Sequence, residues 1–545
     1  MAFEGVVEHL NHLGIVAEVC REIGVAEWLD AQDRTSRQRV SVGTATVAMV
    51  LNGLGFSNRQ LYLVPQFFED KPVEHLLGPG LSATDLNDDC LGRTLDWLYA
   101  HDVTTLFAGL ALRARRAFGV SVTRLHADTT SCAVSGDYPA AEGDLDAQTI
   151  AVTYGYSRDH REDLKQWMLA LVTSGEGIPQ FLQPLDGNAS DKTTLLHVIT
   201  ELTRQLHASG EAPGVYGADS GLYSEANRRQ WQEAGVQWVS RVPETANRAQ
   251  AVVRAEPAAW QHSDDAQLSW WGGILELPQG QERWLVVRSR EGEQRARATL
   301  QRQVEREQAQ WEKRWWHLSH RAFACVPDAQ AARERERQTM PPWLVVQTSV
   351  AAVPKYAHRG RPRRGASPAE QAWHVQAELR LDPDALEREV RRKAAFLLAT
   401  NVLDAAALPD LALIQTYKAQ SAVERGFAFL KDPLFLASSV FVKKPQRIMA
   451  LAFLMVLCLL VYRLAELRVR DRLAAVHETV PDQLRRPTTR PTMRWLFQCF
   501  EGIDLHHMTL PDGNQITQVL RLRALHRQVL RLLGPAYEKC YFASD

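Results

Sequence analysis

At Ser121 the hydrophobic period changes, and that change limits the fold more than any other feature of the 545 residues. Before it, segments such as GIVAEVCREIGVAEWL and CLGRTLDWLYAHDVTTLFAGLALRARRAF carry apolar residues at three-to-four spacing, with Gly and Pro between them. That pattern predicts an all-helical region over 1–118. After it, Ser121–Ala127, Ile150–Tyr156 and Trp167–Thr173 read as consecutive strands. A helix over Lys192–His207, a strand at Gly214–Ala218, a polar helix over Ser224–Ala234 and a strand at Gln237–Val242 follow. The order β-β-β-α-β-α-β predicts an α/β core in which helices flank a mixed sheet.

From Pro243 to Arg392 this alternation is interrupted by strand-like pieces (LSWWGGILEL, RWLVVRS, PPWLVVQTSV) and a charged helix from about Gly292 to His317. Asp382-Pro383 restarts it, with Asp as N-cap and Pro at the first helical position. A strand at 394–400 and one helix over Asp410–Leu430 come next, and the remainder reads as helical and Arg-rich. The expected organisation is 1–118, a helical domain; 119–242 and 393–470, two parts of one core; 243–392, an insertion; and 471–545, a helical C-terminal region.

The apolar run Ile448–Tyr462 has 15 residues, which predicts a buried helix rather than a membrane span. The start, MAFEGVVEHLNHLG, lacks a basic stretch followed by an apolar one. Seven scattered cysteines without a CxxC pair suit a reducing compartment and argue against a zinc site, so a cytoplasmic protein without membrane contact is expected. Net charge is −1, but residues 1–100 hold 7 Lys/Arg against 14 Asp/Glu while 441–545 hold 16 against 9. An anionic partner is therefore expected for the second half.

Three carboxylates occupy comparable places. Asp128 in HADTTS and Asp219 in VYGADSGLYS are each read at the end of a strand, where ligands of α/β sheets converge. The same positions suit a turn or N-cap aspartate. The third, Glu424, sits in TYKAQSAVERGFAFLKDP. At about 100° per residue Tyr417, Gln420, Glu424 and Lys431 share an arc of about 60°, while Ala422 and Phe429 face away. A carboxylate flanked by a cation and hydrogen-bonding groups suits a phosphodiester, and a solvated helix face gives the same pattern.

Tyr417, Gln420, Glu424 and Lys431 spell Y-x2-Q-x3-E-x6-K, which resembles the Y-x2-R-x3-E-x6-K signature of bacterial insertion-sequence transposases with a DDE triad. Asp128 and Asp219 resemble the first and second acidic motifs of that group, and YGYSRDHREDLKQ and WVSRVPET are similar to its sequences. The departure is Gln420, which brings no charge where the signature has Arg. The resemblance implies an RNase H-like core with a mainly β insertion between Asp219 and Glu424, which stand 205 residues apart. It also implies Asp128, Asp219 and Glu424 as catalytic metal ligands for two Mg²⁺, with Mn²⁺ able to substitute. Asp128 would bridge the ions. The implied activity is cut-and-paste transposition through a hairpin, the implied partners are terminal inverted repeats and target DNA, and the implied assembly is a homodimer on DNA, nucleoid-associated when bound. An RNase H-like nuclease without strand transfer and a non-catalytic DNA-binding descendant are the rival readings.

Further expectations attach to single residues. Arg359, Arg361, Arg363 and Arg364 in RGRPRR resemble minor-groove hooks, and a solvated loop is the alternative. Trp270, Trp271 and Trp284 lie in the insertion, where related transposases stack an aromatic on a flipped base. His126 is expected in the core, Tyr223 in the core or at DNA, and Arg34, Arg37 and Arg39 form the basic patch of the N-terminal domain. For the C-terminal Arg521, Arg523, Arg527 and Arg531, dimerisation and DNA binding stay open.

Overall fold

A computed structural model describes residues 5–33, 38–56, 61–136, 138, 149–157, 161–243, 247–255, 257, 259–278, 280–355, 370–432, 444–509 and 515–542. The chain divides into two compact units, Met1–Ser240 with Gln415–Asp545, and Arg241–Ile414.

In the first unit a short strand, β1 (Gly5–His9), precedes the helices between Leu13 and Phe118. Side-chain caps start several of them: Ser41 accepts from Thr44 N–H, Asn87 from Cys90 N–H, and Asp102 from both Thr104 and Thr105 N–H. At Gly43 a Cβ would lie 2.3 Å from the Ala26 carbonyl oxygen, so the helices Val25–Gln32 and Val42–Leu54 cross at a position only glycine fits.

The period change produces β2 (Arg124–Val134), β3 (Lys165–Ser174), β4 (Pro179–Leu185), β5 (Val215–Ala218) and β6 (Trp238–Arg241), ordered β4-β3-β2-β5-β6. β2, β3 and β4 run antiparallel, whereas β2, β5 and β6 run parallel. This is the RNase H-like order. Two strand assignments change. Ile150–Tyr156 makes only an isolated bridge, Thr153 with Gln166, and the third strand is instead Pro179–Leu185. Its prolines hide it in the sequence, but an edge strand tolerates them because its outer N–H groups need no ladder partner. β2 also continues to Val134, so Asp128 lies inside the strand rather than at its end.

The second unit holds β7 (Gln261–His262), β8 (Leu268–Leu277), β9 (Gly280–Ser289), the paired β10 (Leu344–Lys355) and β11 (Glu370–Leu381), and β12 (Ala395–Thr400). Within it the order is β12-β9-β8-β7, with β10 and β11 as a separate two-stranded sheet. The helices Arg290–Ser319 and Val326–Gln338 accompany these strands. Among many charges, Leu300, Val304, Trp311, Trp315 and Leu318 recur on one face of the longer helix and are buried with Trp343, Leu344 and Val375. The strand after the expected insertion, β12, belongs to this unit.

The chain then returns to the first unit. The helix Pro445–Val476 is long and apolar enough to cross a membrane, yet its apolar stretch is entirely buried. It packs against the N-terminal helices Leu13–Ile23, Val42–Leu54, Asp88–Ala100 and Val103–Phe118, so the expected separate regions share one core. The C-terminal region is not all helical. It contains the bridge pair β13 (Val480–Pro481) and β14 (Pro487–Thr488) and a hairpin, β15 (Asp504–Thr509) with β16 (Gln515–Leu520). β1 adds to this hairpin in antiparallel register, Gly5 opposite Met508 and His9 opposite Asp504.

Candidate active site

Alternation along a strand puts every second side chain on one face. The parallel register pairs Arg124 with Val215, Leu125 with Tyr216 and His126 with Gly217. Each aspartate follows the last of these pairs by two residues, Asp128 still within β2 and Asp219 one residue past the end of β5. β5 ends at Ala218, and Ser240 at the end of β6 donates its hydroxyl to the Asp219 carbonyl at 3.1 Å, fixing the backbone there. Asp128 Oδ1 accepts from Thr129 N–H at 2.7 Å, and Asp219 Oδ1 from Ser220 N–H at 2.6 Å.

The third carboxylate arrives on the helix Ser421–Leu430, which packs on β2 and β3. Ala422, Val423, Gly426, Phe427 and Leu430 are its buried face, and Glu424 is exposed. A Cβ on Gly426 would lie 3.8 Å from Leu171 Cδ2, and Leu171 is the β3 partner of Asp128. The helix bearing Glu424 thus packs beside the strand pair that bears the first aspartate.

Asp410–Leu430 is not one helix, as the sequence predicts, but two, Asp410–Lys418 and Ser421–Leu430. At the junction Gln420 N–H bonds to Tyr417 C=O and Val423 N–H to Gln420 C=O, at 3.1 and 3.0 Å. These i to i+3 bonds tighten the turn, so the uniform angular count from Tyr417 to Glu424 does not apply across it. Gln420 is the N-cap residue of the second helix and Lys431 its C-cap residue; both, like Tyr417, are half-buried.

Two residues before Asp128 on the same strand lies His126, buried at 0% exposure, with no hydrogen-bond partner at either ring nitrogen among the described residues. Burial, aided by the charge of Arg124, lowers its pKa to about 4, so the imidazole is neutral at pH 7. Gly217 makes room for it. A Cβ there would lie 2.5 Å from His126 Nδ1 and 3.5 Å from the Thr416 carbonyl oxygen. Gly217→Ala is expected to lower stability by about 1–3 kcal/mol, the usual cost of overpacking. Urea denaturation of this variant, and of Gly217→Ala with His126→Ala, checks the cause: the second change should recover most of the loss.

The carboxylates are hard oxygen donors of the kind Mg²⁺ takes. Adjacent strands lie about 4.8 Å apart, the scale on which carboxylates from neighbouring strands can share one ion. Among the described residues, no three His, Cys, Asp or Glu side chains are gathered closely enough to hold a metal ion. Two aspartates follow the last β2–β5 pair and Glu424 sits on a helix that packs on β2 and β3, with Oδ1 of each aspartate turned to the next backbone N–H.

The other expected residues distribute differently. Arg359, Arg361, Arg363 and Arg364 lie outside the described residues, as do Arg34 and Arg37. Arg39 pairs with Asp85 at 3.1 Å. Arg531 pairs with Glu478 at 2.7 Å, and Arg521 with Asp504 at 3.6 Å. Tyr223 packs edge-on against Trp238, with the Arg228 guanidinium 4.4 Å from its ring centre. Trp270 and Trp284 are buried and donate to Asp410 and Glu282 at 3.3 and 2.8 Å. Trp271 points to the other face of β8, half-buried, and a Cβ at Gly273 on that same face would meet nothing within 4 Å. Sequence reasoning missed Gly217 and Ser240, although a glycine two residues before a strand-end aspartate was a usable signal for the first.

Residues 6–112 match a domain of unknown function (DUF4277), and residues 138–461 match the transposase DDE domain. The second span contains Asp219 and Glu424 and begins after Asp128. No curated protein matches the sequence. Among solved structures, the chain is similar to a piggyBac transposase synaptic complex with hairpin DNA, determined by cryo-EM. The identity is 9% and the TM-score 0.34, covering 90% of this chain and 79% of that one.

Proposed function

The chain belongs to the transposases with a DDE domain, and from that membership we propose that it cleaves the ends of an insertion sequence and joins them to target DNA. The position of Asp128 and Asp219 two residues past the last β2–β5 pair, with the Glu424 helix packed on β2 and β3, supports this reading. Asp128, Asp219 and Glu424 would hold the divalent ions, Mg²⁺ with Mn²⁺ as substitute, once their side chains gather more closely than they stand among the described residues. When bound, the ions supply an acidified water and neutralise charge on the phosphorus and the leaving oxygen. His126, neutral and enclosed, supports the strand beneath Asp128 and takes no proton from substrate.

Tyr417, Gln420 and Lys431 line the approach of the phosphate, with Gln420 contributing a neutral hydrogen bond where charge would bind more strongly. Arg359, Arg361, Arg363 and Arg364 reach the DNA grooves. Trp271, rather than Trp270 or Trp284, is the aromatic available for stacking, since those two are already packed and bonded. The reaction is cut and paste through a hairpin, carried out by a homodimer on double-stranded terminal repeats in the bacterial cytoplasm.

The test uses the full chain, Mg²⁺ and duplexes bearing the terminal repeats of its own element. Free 3′-hydroxyls at the element ends, and joining of a pre-cleaved end to plasmid, are the expected products. Cleavage without joining would identify a nuclease, and absence of metal-dependent nicking would remove the catalytic reading.

A further inference from the structure

The helix Ser421–Leu430 presents Glu424 on only ten residues. A helix of that length is marginal in water by itself, so its seat is set by what holds it from outside. Its buried face rests on β3 and on the helix Pro445–Val476: a Cβ on Gly426 would lie 3.3 Å from Leu459 Cδ2, and the ring centres of Phe429 and Tyr462 are 4.8 Å apart. Apolar contacts of this kind are non-directional, and they hold the helix down without fixing its end. The end is reached instead from the C-terminal region, which lies beyond both family matches.

There the helix Met493–Cys499 brings in Arg494, which makes two ties at once. Its guanidinium donates to Asp432 Oδ2 at 2.7 Å, one residue past Lys431, the C-cap residue of the Glu424 helix. Its backbone N–H donates to Tyr462 Oη at 2.9 Å, and Tyr462 packs against Phe429 on one side and edge-on against Phe497 on another, with ring centres 6.0 Å apart. Both ties thus act on the last turn of the Glu424 helix, where a cation also complements the helix dipole.

Arg494 stands on an anchored support. The buried Glu466 accepts from Arg463, from Arg470 at 2.8 Å and from Met493 N–H at 3.3 Å, while Arg470 also donates to the Pro491 carbonyl at 3.0 Å. Removing one partner of such a buried charge network is costly, which keeps the segment before Arg494 in place. The same Arg463 approaches the first turn of the Glu424 helix: a Cβ on Gly177 would lie 2.7 Å from Arg463 Nη2 and 3.2 Å from Ala422 Cβ. A chance surface pair has neither a second tie to the same turn nor an anchored base.

We propose that Arg494 is a positioning residue for the candidate active site: through Asp432 and Tyr462 it holds the last turn of the helix that presents Glu424, so that metal binding depends on a residue of the C-terminal region. The proposal rests on the metal-dependent reading above and gives the C-terminal region a part in it. Mg²⁺ demands near-ideal octahedral geometry, and a helix that drifts carries its carboxylate out of reach.

The test uses the full chain and two measurements that need no turnover, amide hydrogen exchange without metal and Mn²⁺ binding followed by water-proton relaxation. Arg494→Met keeps the side-chain stem and removes its donors. Exchange over residues 421–432 should quicken about fivefold in this variant, the strong end of what a partly exposed ion pair gives, with Leu451 to Leu460 unchanged. Mn²⁺ affinity should fall by up to the same ratio, because the apparent constant scales with the fraction of protein in the competent arrangement. Arg494→Lys should restore most of both. Asp432→Ala should repeat the losses, and serves alone if Arg494→Met does not fold; the double variant should be no worse than either single one. Unchanged exchange over 421–432, a quickening shared by the whole chain, or additive losses in the double variant overturn the proposal. So does altered exchange with unaltered Mn²⁺ affinity, which would leave the pair a structural tie. Wild-type protein that binds no Mn²⁺ removes the metal-dependent reading and the positioning role with it, whereas Mn²⁺ binding that depends on Arg494 in a protein that cleaves no DNA keeps the positioning role and removes the transposition reading alone.

Discussion

Alanine at Asp128, Asp219 or Glu424 is expected to abolish both cleavage and strand joining while leaving metal-free binding of the element ends largely intact. In the proposed mechanism each change would remove an oxygen ligand, and a bound divalent ion would contribute several kcal/mol to stabilising the charge that develops at phosphorus. At about 1.4 kcal/mol per tenfold in rate, losing roughly 4 kcal/mol leaves about a thousandth of the activity. The effect on folding should be small at Asp219 and Glu424, which are exposed. Asp137→Ala serves as the control. Near-wild-type cleavage by any one variant would exclude that residue from the site.

Phe453→Ala is expected to destabilise the first unit severely, by about 3–5 kcal/mol. Phe453 is fully buried in the first third of the Pro445–Val476 helix and meets Phe107 edge-to-face, with ring centres 6.2 Å apart. Its neighbours belong to several helices, which cannot all collapse into the vacated volume, so both transfer energy and cavity energy are lost. Urea denaturation should show an earlier transition. Val476→Ala on the same helix, at a site 49% exposed, should shift stability by no more than about 0.5 kcal/mol. Equal midpoints for the two would show that this helix is not the centre of the core.

How much of this was legible depends on whether the signal was local. The run WMLALVT reads as a strand because its residues are continuously apolar, and it lies in β3, buried on both faces. PQFLQPL was missed because proline normally argues against a strand, and only its edge position permits it there. ADTTS looks like a turn, yet Thr129, Thr130 and Ser131 are buried in β2, a tertiary outcome that propensity does not reveal. The carboxylates were visible as interruptions of apolar stretches. That both follow the last β2–β5 pair by two residues was not, since it depends on the register of those strands.

The antiparallel seam between β1 and β15 has a temporal consequence. His9 bonds to Asp504, 495 residues downstream. At translation rates of about 5–20 residues per second, the partner strand leaves the ribosome roughly 25–100 s after β1. The helix that fills the centre of the N-terminal core also comes late. The nascent N-terminal helices therefore wait with apolar faces uncovered, and the first unit completes its fold only when nearly the whole chain has been made. Slow codons or a chaperone that shields those faces should raise the yield of native protein more than any change to β1 itself.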